Sequence, residues 1–98
     1  MTRHIERRLR ALAEEMTSLR AELGVLGEQL AFQQDVVQDA RVRALVAETP
    51  LADRELRVAS EDLRRIQRAL DEAATRLQGL LTEQDRLLAE LLPEPTTG

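Results

Sequence analysis

The feature that most constrains this chain is a pair of apolar seams that mirror each other across one turn. From Ile5 the apolar residues recur at alternating spacings of four and three, through Leu9, Leu12, Met16, Leu19, Leu23, Leu26 and Leu30. The frame continues through Gln33, Val37, Ala40, Ala44 and Ala47. A second frame starts at Ala52 and runs through Leu56, Ala59, Leu63, Ile66, Leu70, Ala73, Leu77, Leu80, Gln84, Leu87 and Leu91. Such spacing lines one stripe of an α-helix and marks a coiled-coil heptad, here with Leu9 and Leu56 at a positions and Leu12 and Ala59 at d positions.

Between the seams lies Ala47-Glu48-Thr49-Pro50-Leu51-Ala52-Asp53. Thr49 is a good N-cap, and proline is well tolerated at a first helical position. A single rod through Pro50 would lose a backbone hydrogen bond. Its seams would also fall out of phase, because the first frame continued past Ala44 reaches Leu51 and Val58 rather than Leu56 and Leu63. The pattern therefore predicts an all-α fold, a long antiparallel two-helix coiled-coil hairpin that pairs into a four-helix bundle. As one domain over 1–98 it would have helix 1 at about 3–48, a turn at about 49–51 and helix 2 at about 52–92. Pro93 and Pro95 would stop helix 2 and leave a flexible tail at 93–98. At the usual rise helix 1 would be about 70 Å long.

Composition agrees. At 98 residues the chain is short for a globular core, and Phe32 is its only aromatic residue. Arg occurs without Lys, as codon drift in a GC-rich bacterial genome would produce. The net charge of -4 argues against nucleic-acid binding. There is no cysteine and hence no disulfide framework. The start MTRHIERRLR is charged with no apolar run behind it, so no signal peptide and no membrane association are expected. The expected compartment is the cytoplasm.

Folding the chain at the turn sets like against like: Leu23 with Leu77, Val37 with Leu63, Leu12 with Leu87, Ala40 with Ala59. Alanine pairs gather by the turn, and Gln33 would face Ile66. On one flank, the g positions, Arg8 would meet Glu90, Glu22 would meet Arg76, and Arg43 would meet Glu55, with Glu15 against Glu83 the one clash. Exposed pairs of this kind contribute only about 0.2–1 kcal/mol each, so they select orientation more than they stabilise.

The opposite flank, the e positions, is apolar where a lone coil in water would carry charge. Ala13, Ala74, Leu81 and Leu88 lie there with the small Gly27, so a lone hairpin would leave Leu81 and Leu88 in water. A second apolar set towards the turn includes Val25, Phe32, Val36, Val46 and Val58. One seam is marginal for so many ordered residues. A second copy would cover the surplus, with a two-fold axis near Gly27 and Ala74.

No chemistry-bearing constellation accompanies this pattern. His4 is the only histidine, Ser18 and Ser60 have no histidine base beside them, and Glu14-Glu15 and Glu61-Asp62 read as solvated faces. No catalytic residue, metal ligand or cofactor site is expected. Arg64, Arg65 and Arg68 are nearly balanced by interleaved acids, and no aromatic platform for single strands is present.

In length, charge and lack of cysteine the chain is similar to the WXG-type secreted hairpins, but it lacks their Trp and Tyr. The turn resembles the tip of Gre-type transcript-cleavage factors, which reads roughly Asp-Leu-Ser-Glu-Asn-x-Glu-Tyr against Pro50-Leu51-Ala52-Asp53-Arg54-Glu55-Leu56 here. Pro50 replaces the first tip acid. The resemblance implies a carboxylate role for Asp53, with Glu48 as a substitute. The expected function is a non-enzymatic scaffold or adaptor that binds other protein and forms a homodimer through Ala13, Gly27, Ala74, Leu81 and Leu88, with Phe32 and Val36 as a second candidate surface. The alternative is a regulator that docks on a large machine such as RNA polymerase through Glu48, Asp53, Arg54 and Glu55.

Overall fold

The computed structural model describes residues 2–92, which form two helices, α1 (Thr2–Ala47) and α2 (Pro50–Leu91). The two pack against each other as an antiparallel hairpin with extents of 74 × 28 × 15 Å. The residues 93–98, expected to be a flexible tail, lie outside the described residues.

Local chemistry fixes the turn. Glu48 takes φ 51°, and its N–H donates to Ala44 O at 3.2 Å, closing the last turn of α1 in the left-handed conformation usual at helix C-termini. Thr49 is extended, and its Oγ1 accepts the Ala52 N–H at 3.2 Å. The Asp53 N–H reaches Thr49 O at 3.1 Å. With its N-terminus capped in this way, α2 begins at Pro50, ahead of the seam-based start at 52. The cap and the proline decide the boundary, not the first seam residue. At the other end Leu92 is extended, as a residue preceding proline is driven to be.

The seam residues form the core, and it is uneven. Leu12, Met16 and Leu87 make one buried cluster, with Ile5, Leu9, Leu77, Leu80 and Leu81 packed on it. Val37, Ala40 and Ala59 make a second near the turn, joined by Val36, Leu56 and Leu63. Between the clusters Leu23, Leu26, Leu30, Ile66 and Leu70 are only half-buried. Their flanks explain this. Gly27, Ala69 and Ala74 are too small to shield a seam that only one opposing helix covers.

Cross-helix polar contacts correct the like-with-like pairing. Gln33 Nε2 donates to Ala59 O at 3.0 Å instead of facing Ile66. Arg8 pairs with Glu83 rather than Glu90, through Nε at 2.6 Å and Nη2 at 2.9 Å. In both cases the partner lies one heptad nearer the turn. Knobs of antiparallel helices interleave, so an a residue shares its layer with a d residue, as Val37 does with Ala59 in the second cluster. That offset brings the nearer heptad within reach of long side chains. It also removes the expected clash, since Glu15 and Glu83 share the Arg8 guanidinium, Glu15 at 3.5 Å. Arg43 and Glu55 meet at 3.9 Å as the pairing predicts, whereas Glu22 and Arg76 form no ion pair.

Candidate interaction surfaces

Small seam residues near the turn shape the most prominent surface. Ala40 and Ala59 form the floor of a groove of about 550 Å³. Phe32 and Val36 on α1, with Leu51 and Val58 on α2, form its apolar walls. Arg43, Arg54, Glu55 and Asp62 add a rim of both charges. A smaller trough of about 390 Å³ adjoins it through Arg43, Leu51 and Glu55, and adds Val42 and Val46. Two helices alone cannot roof this trough, because a low floor of alanine leaves the taller flanking side chains standing clear.

Exposure is concentrated here. Phe32 is 70% exposed and Val46 80%, and Leu51, Val42 and Val58 on the same surfaces are also exposed, while the exposed Val25 and Leu45 line neither the groove nor the trough. Large apolar side chains standing together in water mark an interaction site more often than a scattered leucine does. Towards the open end, among the described residues, the exposed large apolar side chains are Leu88 and Leu92.

The e flank is placed differently from expectation in one respect. Leu81 is half-buried and packs against the Leu12–Met16–Leu87 cluster, so the hairpin itself partly covers it. Leu88 is 38% exposed, and Ala13 and Ala74 are exposed. Gly27 is half-buried, yet a Cβ built on it would meet no atom within 4 Å. Nothing inside the hairpin requires a glycine there, or at Gly24. Of the second candidate surface, Phe32 stands in water while Val36 lies half-buried against Val37, Ala40 and Ala59.

At the tip, Glu48, Asp53, Arg54 and Glu55 are all exposed. Glu55 is engaged by Arg43, and Asp53 sits in the first turn of α2, where a carboxylate complements the positive end of the helix dipole. Among the described residues no group of three or more His, Cys, Asp or Glu could hold a metal ion, and no helix is long and apolar enough to cross a membrane.

The strongest electrostatic feature lies far from the groove. The Arg8 hydrogen bond, aided by its charge, holds the Glu83 carboxyl below its ordinary value against an opposing cost of desolvation. The same hydrogen bond raises the Arg8 guanidinium. Its place beside the Leu12 cluster makes it an orienting contact for the open end, not a chemical site.

Sequence reasoning missed Val42, Leu45 and Leu51 as surface residues. The signal was present, because each stands off the seam and so cannot face the other helix. Comparison with known protein families, curated proteins and solved structures found no match for this chain.

Proposed function

We propose that this chain is a non-enzymatic protein–protein interaction module, a scaffold or adaptor that self-associates and pairs its hairpins into a four-helix bundle. The observation that carries this reading is the row of large apolar side chains left in water along the turn half, Phe32 foremost. The half-buried middle of the seam supports it, because a hairpin with so little enclosed core gains from a covering partner. The test is molar mass in solution by light scattering over a wide concentration range. Self-association requires a mass rising from 11.1 kDa towards twice that value. A mass fixed at one chain throughout would reject it.

Docking on a larger assembly through the turn is a second reading, supported by the exposure of Leu45, Val46 and Leu51 beside Asp53 and Arg54. In that case substitution of Glu48, Asp53 and Arg54 abolishes the cellular effect of the protein and leaves its molar mass unchanged.

A further inference from the structure

We propose that the face beside Phe32 is closed by a second copy laid antiparallel across it, tip over tip, on a two-fold axis at Val58. The proposal rests on the self-association reading and deepens it by naming the face and the pairs that meet.

A two-fold interface is self-complementary, so residues equally far on either side of the axis must suit each other. On α2, a half-turn at Val58 exchanges Arg54 with Asp62, opposite charges that both line the groove. It sets Val58 against its own copy. On α1 the level of Val58 falls near Asp39, since Val37 and Ala40 pack with Ala59. The same half-turn exchanges Phe32 with Val46 and Val36 with Val42. The exposed Phe32, Val42 and Val46 therefore each meet an apolar partner, and each arginine at position 54 meets an aspartate.

Two further observations favour a second copy over an unrelated helix. The rim carries two arginines and two carboxylates, so it has no net sign with which to select a strongly acidic or basic partner. The area also fits. An overlap of about 26 Å along the axis and two helices about 10 Å wide cover about 500 Å² per copy. The resulting total of about 1,000 Å² is the lower bound for a specific interface, so the dimer dissociates on dilution. Two like-charge meetings, Asp39 with its copy near the axis and the exposed Glu55 with Glu61, act in the same direction.

The chain has no cysteine, which gives a clean covalent readout. Val58→Cys should form a disulfide-linked dimer under mild oxidation, while Leu88→Cys, on the other flank, should not. In light scattering, Arg54→Asp and Asp62→Arg should each weaken dimerisation at least tenfold, and the double variant should restore it. Circular dichroism confirms that each variant remains helical, and Arg54→Ala serves as a milder replacement if a reversal unfolds the chain. A wild-type dimer in which Leu88→Cys crosslinks and Val58→Cys does not would overturn this face and leave self-association standing. A wild type that is monomeric at all concentrations would overturn both.

Discussion

Truncating Leu12 to alanine tests whether the hairpin is held by its seam. Leu12 is 0% exposed, among the described residues the one large side chain fully enclosed, and it clusters with Met16 and Leu87. Leu→Ala in a core costs about 2–5 kcal/mol, the spread reflecting how far the surroundings settle into the gap. Only two helices line this site and they can draw together, so about 3 kcal/mol is expected. Phe32→Ala is the internal contrast on the same helix. Phe32 is 70% exposed, and full burial of a large apolar side chain is worth about 1.5–3 kcal/mol, so its loss should cost an isolated hairpin less than about 1 kcal/mol. Urea unfolding followed by circular dichroism at low protein concentration measures both. At about 4–8 °C per kcal/mol for a domain of this size, Leu12→Ala should also lower the melting temperature by about 12 °C or more. If Leu12→Ala proves no more damaging than Phe32→Ala, the open-end cluster does not hold the hairpin together.

Glu48→Gly should stabilise the fold by up to about 1 kcal/mol in urea unfolding, because Glu48 sits at φ 51° where a side chain is disfavoured and glycine is not. Gly24→Ala should raise helicity and add about 1 kcal/mol, since a Cβ there meets no atom within 4 Å; a loss of stability would show that Gly24 is covered by something. Glu83 has its carboxyl lowered in the fold below the ordinary value of 4.5, so the Arg8 pair stabilises above that pH and the contribution is lost as pH falls through the lower folded value. Wild type should therefore lose stability more steeply than Glu83→Gln on acidification, the two curves converging at low pH; parallel curves would show that the pair is not formed in solution.

The sequence by itself determined the hairpin. Two heptad seams out of phase across Pro50 admit few other folds, because a stripe of leucine must be covered and a proline with a capping threonine starts a new helix. The Arg43–Glu55 contact and the alanine-rich approach at the turn followed from the same pattern. Tertiary structure decided the layering. Arg8 reaching Glu83 and Gln33 reaching Ala59 depend on how knobs interleave, which is set by packing in three dimensions and not by either helix's own period. It also decided which apolar flank is open. Leu81 and Phe32 look alike as apolar residues beside a seam, but Leu81 lies against a cluster of full-sized side chains that cover it, whereas Phe32 rises over an alanine floor with nothing tall enough to meet it. Exposure depends on the size of the residues across the seam, and that is known only once the layers are set.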